Sequence, residues 1–161
     1  HPATASAKSK SIISCVLSSL KEFKDYGIIF TGVNSDTESS IIKKSILKFV
    51  EKNKRCRYIE SAGRELYVNL LRHASVLIGN SSSGIIEAPY LKTPSVNIGD
   101  RQDGRPLASS IITVNIDKAE ITKAVKRILL DTPTINYGKV YYDTNKTSDK
   151  MIKKIEEFIN N

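Results

Sequence analysis

Short apolar runs alternate with longer amphipathic repeats along almost the whole chain, and no other feature restricts the fold as strongly. Ile28-Ile29-Phe30, Arg57-Tyr58-Ile59, Val76-Leu77-Ile78, Ser95-Val96-Asn97-Ile98 and Ile111-Ile112-Thr113-Val114 read as strands. Several are apolar at successive positions, as strands covered on both faces are. Between them, apolar residues recur at helical spacing. The first set is Ile12, Ile13, Val16, Leu17, Leu20 and Phe23; the second is Ile42, Ile46, Phe49 and Val50, with Asp36 or Thr37 as N-cap. Leu66, Leu70 and Leu71 mark a third helix, and two more are expected over 118–130 and 148–159. Residues 131–146 read as an irregular surface connection between those two.

Strands of this kind, alternating with helices, predict an α/β fold: a Rossmann-like parallel sheet with helices on both faces. At 161 residues the chain is expected to form one domain with a single sizeable core. An apolar share of 40% and a charged share of 26% suit a soluble protein, and no apolar run is long enough to span a membrane. The start, His1-Pro2-Ala3-Thr4, has neither an initiator methionine nor an apolar leader, so a fragment is expected. Cys15 and Cys56 fit no metal spacing and read as reduced thiols of a cytoplasmic protein.

Lysine and arginine exceed aspartate and glutamate by 25 to 17. Such an excess suits nucleic acid, an acidic membrane surface or a phosphorylated small molecule. The lysines are scattered at Lys43-Lys44, Lys52-Lys54, Lys123-Lys126 and Lys153-Lys154. Scatter of that kind reads as solvated helix faces, so neither a nucleic acid nor a membrane is the expected partner.

The stretch Ile78-Gly79-Asn80-Ser81-Ser82-Ser83-Gly84-Ile85-Ile86-Glu87-Ala88-Pro89 carries the strongest chemical signal. A strand stops at Gly79, and small hydroxyl residues open what reads as a short helix from about Ser83 to Leu91, ended or kinked by Pro89. Unpaired amides and a helix dipole would meet there at an anion site. One serine could equally be a plain N-cap. Placement at the carboxyl end of a parallel strand favours a ligand, and the diphosphate of a nucleotide-sugar fits. No Walker lysine and no GxGxxG is present. Glu87, four residues after Ser83, would share its helix face and could accept from both hydroxyls of a ribose, or could be a surface carboxylate near a helix dipole.

A second polar loop, Gly99-Asp100-Arg101-Gln102-Asp103-Gly104-Arg105, also follows a strand. Arg101 and Arg105 could fork onto a diphosphate or pair with Asp100 and Asp103. His73 reads as a dipole-stabilised surface residue, and Asn34 and Asp36 as a turn that is either a cap or ligand-facing. No paired carboxylates, metal cluster or Ser-His-Asp set can be assembled, so no cofactor or metal is expected.

His1-Pro2-Ala3-Thr4, Asn34-Ser35-Asp36, the serine segment and the Gly99–Arg105 loop occur in an order and spacing that together resemble the carboxyl-terminal half of the UDP-N-acetylglucosamine 2-epimerase family. The resemblance covers nearly all of residues 1–130. Asn-Ser-Ser-Ser-Gly is more similar to the hydrolysing branch, which serves sialic and legionaminic acid synthesis, than to the Asp-Ser-Gly-Gly form of the non-hydrolysing branch. The resemblance implies a glycosyltransferase-B-like enzyme with its site in a cleft between two Rossmann-like halves. It implies that Ser81 and Ser82 hold the diphosphate with Ser83 and Gly84 beside them, that Glu87 meets the ribose, and that Arg101 supports the nucleotide end. Asn34 and the backbone from Ile59 to Ala62 would complete the UDP site, and His1 would be catalytic.

The implied reaction eliminates UDP to a glycal and adds water, with inversion at C2. The implied partners are UDP, a UDP-amino sugar, an amino-terminal domain, and a second copy in a homodimer. The corresponding half of a glycosyltransferase and a basic nucleic-acid-binding module are the competing readings. In the family, a strand precedes the His-Pro motif in mid-sheet; this sequence begins after it, so two exposed strand edges are expected. Ile152, Ile155 and Phe158 of the last helix are expected to be exposed or to drive self-association.

Overall fold

The computed structural model describes residues 6–32, 39–131, 137 and 147–159. Helix α1 (Ser6–Leu20) leads to β1 (Ile28–Thr31), α2 (Ser39–Glu51), β2 (Cys56–Ile59), α3 (Gly63–His73) and β3 (Leu77–Gly79). A 3-10 turn (Ser82–Gly84) and the short α4 (Glu87–Tyr90) follow, then β4 (Ser95–Ile98), β5 (Ile111–Val114), α5 (Lys118–Asp131) and α6 (Thr147–Ile159). Each expected strand, and each expected helix but the one over 83–91, is present with ends shifted by a few residues. The expected caps Asp36 and Thr37 lie outside the described residues, as does most of 131–146.

All strand pairs are parallel. They form two groups, β1-β2 and β3-β4-β5, rather than the one sheet expected. The break falls between β1 and β3, which both line a cleft of about 540 Å³ together with α1, α2 and α3. Ile28 and Phe30 are only half-buried, and Ile29 is 48% exposed, although their sequence is that of a strand covered on both faces. Among the described residues, β1 and β3 share no ladder.

The best-covered strand is β4, buried at all four positions. Ile121, Ala124, Val125 and Ile128 of α5 recur at helical spacing and join Val96, Ile98 and Phe23 in one core cluster. Full burial of each large aliphatic side chain contributes about 1.5–3 kcal/mol, so this seam anchors the three-stranded group. A second cluster, Leu20, Phe49 and Cys56, holds β1-β2 against α1 and α2. Ser19 is wholly buried, yet its hydroxyl donates to carbonyls of Cys15 at 2.9 Å or Lys118 at 3.2 Å, tying α1 to the start of α5. In α3 only Leu71 is fully buried; Leu66 is 47% exposed. Met151, Ile152, Ile155, Phe158 and Ile159 of α6 are all more than half exposed. Among the described residues no helix is long and apolar enough to cross a membrane.

Gly32 extends the β1-β2 ladder through its amide, which donates to the Ile59 carbonyl at 2.8 Å. A Cβ there would overlap the backbone carbonyl of Glu60, so no larger residue fits without moving main chain. Gly32→Ala is expected to cost at least about 2 kcal/mol in denaturant unfolding. Gly27→Ala, whose Cβ would meet its nearest atom at 4.0 Å, should change stability by less than about 1 kcal/mol. Equal effects at the two positions would contradict the close approach.

Candidate functional site

Parallel pairing of β3 with β4 makes the loops after both strands leave at the same edge. Those loops are the serine segment and the arginine loop. At the end of β3, Gly79 adopts φ 156°, which side-chain-bearing residues rarely reach, and turns the chain out of the strand. Ser81 then caps the 3-10 turn: its Oγ accepts from the Ser83 amide at 3.3 Å. The Ser81 carbonyl accepts from the Gly84 amide at 3.0 Å, and the Ser82 carbonyl from Ile85 and Ile86 at 3.0 and 2.9 Å. In the bond to Ser83 the Ser81 hydroxyl is the acceptor, so its own proton is not used by it. Ser82 is exposed, Ser81 half-buried, and Ser83 buried.

Buried Ser83 has a partner that the sequence did not signal. Its Oγ lies 2.6 Å from the Tyr67 hydroxyl of α3. Burial pushes the Tyr67 phenol above its usual value near 10, the Ser83 bond opposes that shift, and the charge of Glu87 adds to it. Tyr67 is thus a neutral phenol that joins α3 to the serine turn and lies within the field of Glu87. The turn is held from below as well, because the buried Ser95 hydroxyl of β4 donates to the Gly84 carbonyl at 2.6 Å.

The expected continuous helix from Ser83 to Leu91 is instead two pieces, the 3-10 turn and α4. Ile86 at the junction has φ −106° and ψ −67°, off the regular helix. Pro89 sits in the first turn of α4, where its missing N–H breaks no helical bond. Glu87 therefore opens its own element rather than riding one helix face with Ser83, but both approach Tyr67.

The arginine loop folds back onto the serine segment. Gln102 is 4% exposed, and its Nε2 donates to the Asn80 carbonyl at 2.8 Å. Arg101 Nη1 reaches the same carbonyl at 3.5 Å, while the rest of Arg101 is exposed. One backbone oxygen thus joins both loops and holds a guanidinium beside the turn. The Gln102 Oε1 is buried and has no hydrogen-bond partner among the described residues. Such an atom costs about 1–3 kcal/mol unless a donor reaches it.

The other expected residues are more scattered. Ala62, half-buried, is the N-cap of α3 after β2. Arg105 is exposed, and its amide donates to the Gln102 carbonyl at 3.2 Å. His73 is an exposed end-of-helix residue whose Nδ1 is 2.9 Å from the Asn69 carbonyl, in keeping with its surface reading. His1 and Asn34 lie outside the described residues. Among the described residues, no three His, Cys, Asp or Glu side chains are grouped so as to hold a metal ion. Both cysteines are free thiols; burial pushes that of Cys56 up. Asn80, Tyr67, Ser95 and Gln102 were missed by sequence reasoning. An uncharged amide between charged neighbours and a phenol within a leucine stripe were the available hints.

The chain is similar to known proteins in sequence and in fold. The family model described as UDP-N-acetylglucosamine 2-epimerase matches residues 1–156. Polysialic acid biosynthesis protein P7 of Escherichia coli is 41% identical over 127 residues, covering 78% of this chain and 32% of that protein. The GDP/UDP-N,N′-diacetylbacillosamine 2-epimerase (hydrolyzing) of Campylobacter jejuni is 37% identical over 119 residues, with 73% and 31% covered. The chain spans about a third of the length of these relatives. Among solved structures, a Methanocaldococcus jannaschii UDP-GlcNAc 2-epimerase in complex with UDP-GlcNAc and UDP superposes with a TM-score of 0.64 at 19% identity, covering 92% of this chain and 40% of that one. This likeness gives the chain the α/β fold of one part of a glycosyltransferase-B-like enzyme.

Two tests follow from the geometry. Gln102→Ala removes the 2.8 Å bond to the buried Asn80 carbonyl and should cost about 1–2 kcal/mol in urea unfolding. Tyr67→Phe tests the phenol. A raised folded-state pKa means that the neutral phenol is favoured on folding; that contribution is full below the ordinary value near 10 and is lost as pH climbs through the raised one. Tyr67→Phe should therefore lose less stability than the unaltered chain between neutral pH and strongly alkaline pH. Parallel losses in the two proteins would refute the assignment.

Proposed function

The chain belongs to the UDP-N-acetylglucosamine 2-epimerase family, and on that premise we propose that it is the nucleotide-sugar-binding half of a hydrolysing UDP-sugar 2-epimerase. The observation that carries the proposal is the single Asn80 carbonyl joining the serine turn to Arg101. It sets outward hydroxyls and a guanidinium side by side at the carboxyl edge of parallel strands, where diphosphates are bound in folds of this class. We read residues 1–161 as one such nucleotide-binding domain.

In this reading the hydroxyls of Ser81 and Ser82, with Arg101, meet the diphosphate. Ser83 and Gly84 shape the turn through Tyr67 and Ser95. Glu87 accepts from the ribose, the backbone at Ala62 and the Asn34 turn meet the nucleoside, and a donor on the ligand or a bound water satisfies Gln102 Oε1. The reaction begins with loss of the C2 proton and cleavage of the C1–oxygen bond, releasing UDP and leaving a glycal. Water then adds, its oxygen at C1 and a proton on the opposite face of C2, which gives the free 2-epimeric amino sugar. Negative charge grows on the departing diphosphate, and fixed donors aimed at it stabilise the transition state. Proton transfer at C2 needs an acid–base group; His1 supplies one, and the amino-terminal half of the enzyme supplies the carboxylates.

N-acetylglucosamine and N,N′-diacetylbacillosamine derivatives are the substrate classes, since relatives bear those names. A role in sialic or legionaminic acid supply, a cytoplasmic location and a homodimer belong to the same proposal. A glycosyltransferase half would share the nucleotide site but transfer sugar to an acceptor without inversion at C2.

Calorimetric titration of UDP into the chain tests the site. Ser82→Ala and Glu87→Ala should each weaken binding about tenfold, corresponding to about 1.4 kcal/mol. Equal UDP affinity in both variants would count against the site as drawn. The chain alone should release no free sugar from UDP-N-acetylglucosamine.

A further inference from the structure

We propose that a basic groove at the amino-terminal ends of β1 and β2 binds a small polyanion carrying clustered phosphates. The groove has a volume of about 940 Å³, within the span of roughly 300–1,000 Å³ usual for small-molecule sites. One wall is α1 with the turn after it, and it supplies Lys10, Lys21 and Lys24. The facing wall is α2 with the turn after it, and it supplies Lys48, Lys52, Lys54 and Arg55. All seven residues are exposed. Arg55 Nη1 donates to the Asp25 carbonyl at 3.0 Å and so ties the two turns together. Leu17, Leu20, Phe23 and Phe49 form an apolar floor. Tyr26 stands at the rim, 46% exposed, with its ring held edge-on to Phe23 at 6.2 Å between centroids.

Glu22 is the one carboxylate in the lining. It is already engaged by Lys118 Nζ at 2.9 Å. Among the described residues, none of the seven cations forms a salt bridge. Helix dipoles explain only part of the gathering. Both α1 and α2 end here, and each carboxyl end carries about half a negative charge. Seven cations against one carboxylate leave six net positive charges, of which the two helix ends offset about one. What remains is a focused positive field in a concave site. Lysines are flexible point charges suited to several phosphate oxygens at once, and the Tyr26 ring offers a face for a nucleobase. The ends of β1 and β2 that meet this groove are opposite to those that lead towards the proposed UDP site.

Sodium tripolyphosphate and ATP, titrated separately into the isotopically labelled chain at 150 mM salt and followed by amide shifts, test the inference. Outside the proposed UDP site, shifts confined to Lys10 and to residues 13–28 and 45–56 are expected. Lys48→Glu with Lys52→Glu should weaken binding at least tenfold, while Lys123→Glu on the exposed face of α5 and Ser82→Ala should change it less than twofold. Tighter binding of ATP than of tripolyphosphate would identify a nucleoside polyphosphate as the ligand; equal binding would identify the bare phosphate chain. Shifts spread over all lysines would overturn the proposal. So would equal weakening by Lys123→Glu, or tighter binding of an oligonucleotide of matched charge. Loss of UDP binding in Ser82→Ala with tripolyphosphate binding intact keeps the two sites distinguishable.

Discussion

The pairing of β3 with β4 is the constraint from which the candidate site follows. Register places Gly79 beside Asn97, so the chain leaves both strands at one edge within a residue or two. Everything polar that matters then happens across a short distance. The Asn80 carbonyl receives the arginine loop, Ser83 receives Tyr67, and the Gly84 carbonyl receives Ser95. These are bonds of modest net worth singly, about 0.5–1.5 kcal/mol for neutral partners. Their effect is greater on geometry than on stability. Three elements are locked to a turn whose own amides are largely closed, so the exposed Ser82 hydroxyl and the Arg101 guanidinium face solvent from a rigid base. A rigid donor array costs little reorganisation when an anion arrives, which is what binding a diphosphate and stabilising its departure require.

Local pattern made most of the fold legible. Runs such as Ile28-Ile29-Phe30 and the helical spacing of Ile121, Val125 and Ile128 are decided by neighbours a few residues away, and each became the expected element. The site was half legible for the same reason. Serines after a strand and arginines after the next strand are local signals. Their supports are not: Tyr67 meets Ser83 across 16 residues and Gln102 meets Asn80 across 22. The split of the segment 82–90 into two elements also escaped, because it falls at Ile85-Ile86, ahead of Pro89, where no proline or glycine marks it. A proline in a first turn and a proline that stops a helix look alike until the hydrogen bonds are traced.

The same limit explains why the lysines looked scattered. Lys21, Lys24, Lys48, Lys52 and Lys54 belong to two helix ends that are distant in sequence, and nothing local says that the ends meet. The parallel β1-β2 pair brings them together, because a parallel ladder puts the starts of both strands, and so the ends of the preceding helices, at one edge. Charge scattered along a sequence can therefore be concentrated by topology alone.

That concentration bears on how the two edges of the strands differ. In a doubly wound sheet, helices run antiparallel to the strands, so helix amino termini gather at the carboxyl edge and helix carboxyl termini at the opposite one. Dipoles then favour anions at the first edge and cations at the second. The serine turn does not use the first preference as the sequence predicts: the amides of Ser83, Gly84, Ile85 and Ile86 are closed within the turn, and side-chain hydroxyls with the Arg101 guanidinium stand in their place. At the second edge the lysines answer the negative helix ends but exceed them severalfold, and the excess reverses the sign of the field. On the two readings proposed, a chain built this way would attract anions at both ends of its strands by different means: fixed hydroxyl and guanidinium donors at one, and surplus mobile ammonium groups at the other. Salt distinguishes them, because mobile exposed charges are screened over about 8 Å at physiological ionic strength while short directed hydrogen bonds are not.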